Sequence, residues 1–141
     1  HGGNYRMDSL NAIVLDEKLK HIDDWTIERQ QIALKYIKGI KNSNIILPNI
    51  QNIHKHAFHI FCLRTFEREA FIDFMKKNNI QVLIHYPSLW HNQKAINSSI
   101  EYISNNNAEN YVDQIVSIPM HPFLTKNEIE NIISIINKFY V

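Results

Sequence analysis

DSLNAIVLDEKLKHIDDWTIERQQIALKYIKG, residues 8–39, runs without proline and meets glycine only at its last position. Leu10, Ile13, Val14, Leu19, Ile22, Trp25, Ile32 and Tyr36 recur at mostly helical spacing, with Glu17, Lys18, Lys20 and Asp24 between them. Asp8 has the side chain of a helix N-cap and Gly39 that of a helix end. The spacing predicts one long amphipathic helix, bent near residues 23–26. At about 1.5 Å per residue, a helix of roughly thirty residues spans some 45 Å. A compact domain of this size has a radius of about 13–15 Å. Such a helix is expected to overhang its own domain or to bridge to another.

Downstream the pattern shortens. Lys41-Asn42-Ser43-Asn44 reads as a turn, and Ile45-Ile46-Leu47 as a short strand stopped by Pro48. Residues 57–63 are almost entirely apolar, which suits a central strand covered on both faces. Thr65 is the expected cap of a helix with Glu67 and Glu69 in its first turn and Phe71, Phe74 and Met75 as its buried stripe. Gln81-Val82-Leu83-Ile84 reads as the next strand, running into His85-Tyr86-Pro87. Residues 92–107 are polar and loop-like, and residues 108–115 suit a short helix. Val116-Ser117-Ile118-Pro119 reads as an edge strand, because proline cannot complete a ladder. Thr125-Lys126-Asn127-Glu128 is a capping-box pattern, followed by Ile129, Ile132, Ile133, Ile136, Phe139 and Tyr140 at helical spacing. The expected fold is α+β: a long N-terminal helix, then a small, mainly antiparallel sheet with helices packed on it.

The chain has 141 residues, 45% of them hydrophobic, enough for one domain with a real core or for part of a larger one. A net charge of +1 argues against a general nucleic-acid or membrane-surface binder but permits a local anion site. Cys62 is the single cysteine, so no internal disulfide forms, and a reducing, cytoplasmic compartment fits. Its apolar surroundings favour a buried structural thiol over a nucleophile. No apolar run approaches the roughly 20 residues of a membrane span. The opening His1-Gly2-Gly3-Asn4 lacks the parts of a signal peptide and suggests a piece cut from a longer protein.

Two segments carry candidate chemistry. The first is Ile84-His85-Tyr86-Pro87-Ser88-Leu89-Trp90-His91, with two imidazoles and a phenol at the end of an apolar run. His85 and Tyr86 suit the hydroxyl or keto oxygens of a small polar ligand, and a tyrosine ring can pack on a sugar face. The competing reading has Tyr86 packing within the protein and His85 bonding a backbone carbonyl. The second segment is Asn4-Tyr5-Arg6, just before the helix. An amide and a guanidinium beside a helix N-terminus can hold a phosphate; alternatively Asp8 simply caps and Arg6 is solvated. A metal site is not expected from the eight histidines, which show no HExxH pattern, no paired CxxC and no carboxylate beside the pairs. His59 reads as a core strand residue, and His54 and His56 as surface or interface residues.

Together these segments resemble the C-terminal part of the nucleotide-sugar aminotransferases, the DegT-type family with the aspartate-aminotransferase fold. Gly3-Asn4-Tyr5-Arg6-Met7-Asp8-Ser9-Leu10-Asn11-Ala12 is similar to the family stretch GxNxRMDxLQAA, with Asn11 in place of glutamine. Residues 18–25 resemble its KLxxLDxW segment. His56-Ala57-Phe58-His59-Ile60-Phe61 with Arg64-Thr65, Ile84-His85-Tyr86-Pro87 with His91, and Ser117-Ile118-Pro119-Met120-His121-Pro122 with Leu124-Thr125 resemble HxYHLF and RT, IHYPxxxH, and SLPMHPxLT.

The resemblance implies a small C-terminal domain of a fold-type I enzyme that uses pyridoxal 5'-phosphate. Residues 1–40 would form the interdomain helix with its preceding cofactor-phosphate loop, and residues 41–141 the small domain. It implies that Asn4 and Arg6 lie at the cofactor phosphate, Asn4 reaching that of the neighbouring subunit of a homodimer. It implies that His85, Tyr86 and, more weakly, His91 line the sugar pocket. The Schiff-base lysine and the aspartate at the pyridine nitrogen belong upstream, so no catalytic residue is assigned here and the piece alone is expected to be inactive. The implied reaction moves an amino group from glutamate to a keto-deoxyhexose nucleotide, dTDP-linked by preference and at C3 or C4. Two other classes stay open: a non-catalytic interaction or dimerisation module of a truncated or regulatory homologue, and a histidine-metal hydrolase.

Overall fold

The computed structural model describes residues 6–94 and 106–140. Among these residues five α-helices and two strands follow in the order α1 (Ser9–Leu19), α2 (Ile22–Gly39), β1 (Phe61–Arg64), α3 (Arg68–Lys77), α4 (Asn106–Tyr111), β2 (Ile115–Ile118) and α5 (Lys126–Asn137). The architecture is the expected α+β arrangement.

Asp8 caps α1, its carboxylate accepting the Asn11 N–H at 2.8 Å and the Asn11 side-chain amide at 2.6 Å. The expected single helix is broken, however, at Lys20–His21 rather than bent at residues 23–26. There the ladder closes with three-residue spacing, Lys20 N–H to Glu17 O and His21 N–H to Lys18 O. Such tightening ends a helix. Asp23 and Asp24 then occupy the first turn of α2, where the helix dipole favours them. No residue of α1 is buried, whereas α2 buries Gln30, Ile32, Ala33 and Tyr36.

β1 and β2 pair antiparallel, in the register Phe61↔Ile118, Cys62↔Ser117, Leu63↔Val116 and Arg64↔Ile115. Single antiparallel bridges extend the sheet on either side, Ile46 to Arg64 and Leu83 to Ser117. The predicted strands at 45–47 and 81–84 are thus reduced to one bridge each. β2 is not an edge strand: Pro119 falls just beyond its last residue, so the missing N–H costs the ladder nothing. The strand predicted from residue 57 begins only at Phe61. Phe58 adopts a left-handed φ of 45°, its N–H donates to His56 Nδ1, and the chain bends at 59–60. As a result His59 is an exposed loop residue and not a core strand residue.

The inner face of the sheet presents Phe61, Leu63, Val116 and Ile118 to a core completed by Tyr36, Phe71, Met75, Ile129, Ile132, Ile136 and Phe139. Each such aliphatic or aromatic side chain contributes about 1.5–3 kcal/mol on burial. The α3 stripe holds at Phe71 and Met75, with Phe74 half-buried. Its N-cap is Glu67 rather than Thr65; the fully buried Thr65 hydroxyl accepts the Glu67 N–H two residues on, just ahead of the helix.

The α5 capping box is present, Thr125 and Glu128 bonding each other's backbone N–H groups. The Thr125 hydroxyl, at 2.7 Å, and next the Thr125 N–H, at 2.8 Å, hold the Glu128 carboxyl below its usual range. The apolar stripe of α5 ends at Phe139, and Tyr140 is exposed. Gly39 is required by packing: a Cβ there would lie 2.8 Å from Ile133 Cδ1. Beside it Asn137 donates to Gly39 O at 2.9 Å and accepts the Lys41 N–H at 2.7 Å, tying the ends of α2 and α5 together. Among the described residues no helix is long and apolar enough to cross a membrane.

Candidate functional site

Alternation along a strand sends successive side chains to opposite faces. With Leu83 bridged to Ser117, and Ser117 opposite Cys62, these positions share the outer face of the sheet, and Gln81 and His85 flank Leu83 at spacing two. That face is open. It carries a pocket of about 330 Å³, walled by His59, Gln81, Leu83, His85, Ser117 and His121 together with residues 118–120. A hollow of about 360 Å³ between α3 and residues 79–82 is mainly apolar and gathers none of the residues singled out in the sequence.

His85 is half-buried, and its Nδ1 lies 2.9 Å from the hydroxyl of Ser117, itself only 5% exposed. A buried hydroxyl on Nδ1 fixes the ring's orientation and leaves Nε2 on the opposite side. The partner of His85 is thus a side chain of the adjacent strand, and not the backbone carbonyl of the competing reading. Tyr86 follows through a cis peptide, meets the His85 ring edge-on at 5.6 Å and is 69% exposed. It stands beside the pocket and does not line it. His91 lies in the short 3-10 turn Trp90–Asn92, half-buried and edge-on to Trp90 at 5.8 Å, also outside the pocket's lining. The structure therefore brings His85 into a pocket, keeps Tyr86 at its margin and places His91 elsewhere.

At the other candidate segment, Arg6 is exposed, two residues ahead of the Asp8 cap. Asn4 lies outside the described residues. The Asp8 carboxylate, held low chiefly by the Asn11 N–H, already satisfies one of the first-turn donors of α1. A guanidinium ahead of a helix start remains chemically suited to a phosphate.

Sequence reasoning missed His59 and His121. Apolar periodicity places His59 in the core, and His121 stands out only as part of the family stretch. The signal that would have found them is the bend forced by Phe58 and the turn beyond Pro119, neither visible in apolar periodicity. Cys62 is half-buried on the outer face, and burial pushes its thiol up, which disfavours a nucleophile. Among the described residues no group of three histidine, cysteine or acidic side chains is placed to hold a metal. His54 and His56 are both exposed.

Residues 1–137 match the model of the DegT/DnrJ/EryC1/StrS aminotransferase family, and the chain belongs to that family. It is 38% identical over 138 residues to the dTDP-3-amino-3,6-dideoxy-alpha-D-galactopyranose transaminase of Aneurinibacillus thermoaerophilus, covering 98% of this chain and 38% of that relative. It is 32% identical over 135 residues to the erythromycin biosynthesis sensory transduction protein EryC1 of Saccharopolyspora erythraea, covering 94% and 37%. In structure it is similar to S. venezuelae DesV with a TM-score of 0.84 at 26% identity, covering 97% of this chain and 38% of the other. The chain spans about 38% of the length of the curated relatives it matches.

Proposed function

We propose, from membership of this aminotransferase family, that the full-length protein containing this chain is a sugar aminotransferase using pyridoxal 5'-phosphate. It moves an amino group from glutamate to a keto-deoxyhexose carried on a nucleotide, dTDP by preference. The observation that carries the reading is the Ser117-oriented imidazole of His85 in an open pocket, within a chain whose family match runs almost end to end. In this reading residues 1–40 link the cofactor-binding part to a small domain formed by residues 41–141. The protein is a cytoplasmic homodimer.

The cofactor, when bound, supplies the electron sink for amino transfer. This chain's share is binding and orientation. Arg6, with the Asn4 amide, offers charge-assisted donors suited to the cofactor phosphate. His85 presents a fixed imidazole to the sugar's oxygens, and the exposed Tyr86 ring offers an apolar face to the sugar. Polar groups held rigidly by a second partner set a ligand's orientation more precisely than mobile ones.

The test is direct. The purified full-length protein should show cofactor absorbance and should convert a dTDP-linked keto-deoxyhexose and glutamate to the amino sugar nucleotide and 2-oxoglutarate. Absence of both cofactor and amine product would refute the reading.

A second reading rests on α1. Leu10, Ile13 and Leu19 are 78%, 66% and 67% exposed, an apolar surface of the kind that marks a protein contact. A non-catalytic interaction or dimerisation role for a regulatory homologue accommodates that surface equally. It predicts that the full-length protein assembles normally and yields no amine.

A further inference from the structure

The bend ahead of β1 is built by side chains that do not themselves line the outer-face pocket. Asn52 caps the 3-10 turn Ile53–Lys55, its side chain accepting the His54 N–H at 3.0 Å. From α2, the Gln30 amide donates to His54 O at 3.3 Å and to His56 O at 3.1 Å, and Arg29 Nε donates to Ala57 O at 2.9 Å. Gln30 is only 7% exposed, and its amide nitrogen spends both of its N–H groups on this loop. His56 completes the arrangement from within. Its Nδ1 accepts the Phe58 N–H at 2.9 Å, and its ring stacks on the Phe58 ring at 4.1 Å. Continuing the alternation of β1 backward from the inward-facing Phe61 would turn His59 inward and Phe58 outward. The bend exchanges them: Phe58 is buried, and His59 and Ile60 wall the pocket.

We propose that His56 is a positioning residue for this wall: its Nδ1, together with the Arg29 and Gln30 donors, holds the bend that turns His59 to the pocket. The exchange of faces depends on Phe58 at a φ of 45°, an outlier for a bulky side chain. Such a conformation persists only where the surrounding bonds over-determine it, and such places gather at functional sites. The imidazole supplies what the bend needs, an acceptor for the N–H two residues on. That is the geometry by which an asparagine side chain closes an Asx turn. The ring is exposed and is not among the lining residues, so it acts through the backbone of the loop and not on a ligand. The inference rests on the aminotransferase reading only for the substrate whose KM reports the state of the wall.

The experiment compares His56→Ala, His56→Asn and Arg29→Ala with the parent in the full-length, cofactor-loaded protein. Two quantities are read: amide hydrogen exchange over residues 57–61, and steady-state kinetics with a dTDP-linked keto-deoxyhexose. His56→Ala removes the acceptor and should speed exchange of the Phe58 amide about 3- to 10-fold, the scale of one hydrogen bond. KM should rise by a similar factor, with kcat changed less than about twofold. His56→Asn keeps an acceptor for the same N–H and should return exchange and KM to within about twofold of the parent. Arg29→Ala removes the donor to Ala57 O at a half-buried helical position and should move both quantities in the same direction. It keeps the inference testable if His56→Ala does not fold. Faster exchange with unchanged KM would confine His56 to the turn and overturn the inference. So would a raised KM with parent-like exchange, or a His56→Asn variant that behaves like His56→Ala. If the parent yields no amine, the exchange comparison alone decides whether His56 holds the bend, and only the aminotransferase reading is lost.

Discussion

The two faces of the small sheet share the same backbone and differ in everything else. On the inner face Phe61, Leu63, Val116 and Ile118 are each at most 3% exposed and wholly apolar. On the outer face, one residue along, stand Ser117 with its hydroxyl on His85, half-exposed Leu83 and exposed Gln81. Stability resides on one parity of these segments and the candidate chemistry on the other. A one-residue slip in register would exchange them, so the antiparallel pairing is what aims His85 at a pocket instead of into the core. Substitutions at neighbouring residues should therefore produce different kinds of effect.

The largest effect belongs to the inner face. Phe61→Ala removes a fully buried ring packed against Tyr36 at 5.2 Å. Urea unfolding should show a loss of about 3–5 kcal/mol. A loss below about 1 kcal/mol would mean that the inner face is not part of one continuous core.

Tyr36→Phe comes next and probes the join between core and pocket. The Tyr36 hydroxyl donates to Pro119 O at 2.8 Å, and Pro119 is itself a pocket residue just past β2. Burial pushes this phenol well above its usual range, so it stays a neutral donor at any working pH. Removing the hydroxyl leaves a carbonyl without its partner and should cost about 1–3 kcal/mol. It should also weaken ligand binding, by freeing the turn that carries His121.

Much of this arrangement is legible in the sequence where the interactions are local. The Asp8 cap and the Thr125–Glu128 capping box each depend on residues within one helical turn. The core stripe of α5 follows from spacing alone. What was not legible depends on distant partners or on a single dihedral. Residues 45–47 and 81–84 have strand-like composition, yet each meets its neighbour at one bridge only. Thr65 looks like a cap but is drawn into the core, where its N–H reaches Gln114 O at 3.0 Å. His59 follows Phe58, whose left-handed φ turns the chain before the strand begins. Apolar periodicity assigned His59 to the interior because it assumed an unbroken extended chain. His85 was found because its setting, at the end of an apolar run, is a local signal; its partner Ser117, 32 residues away, was not.

On the outer face, Ser117→Ala should cost only about 1 kcal/mol, since it deletes one hydrogen bond and no packed volume. Its principal effect should appear in binding. With Nδ1 of His85 no longer engaged, the ring loses its fixed orientation, and on the proposed aminotransferase reading KM for the keto sugar nucleotide should rise several-fold with a smaller change in kcat. Ser117→Thr, which keeps the hydroxyl, should restore most of the loss. Equal stability loss and unchanged KM would show that Ser117 serves only the sheet.

The smallest effect should be at Leu83, the neighbour that bonds Ser117 through its backbone but leaves its side chain 52% exposed. Leu83→Gln keeps both ladder hydrogen bonds, at 3.0 and 2.7 Å, because neither uses the side chain. It exchanges a partly solvated apolar group for a polar one of similar length. Unfolding of the isolated 141-residue chain should shift by no more than about 0.5 kcal/mol, the range of surface substitutions away from special features. In the full-length protein the same change tests whether another surface covers the outer face. If the remainder of the protein packs on Leu83, the cost should rise toward the 2 kcal/mol or more typical of a buried leucine site. A difference between the two measurements would place the pocket at an internal boundary of the larger protein, whereas equal small costs would leave it open to solvent in both.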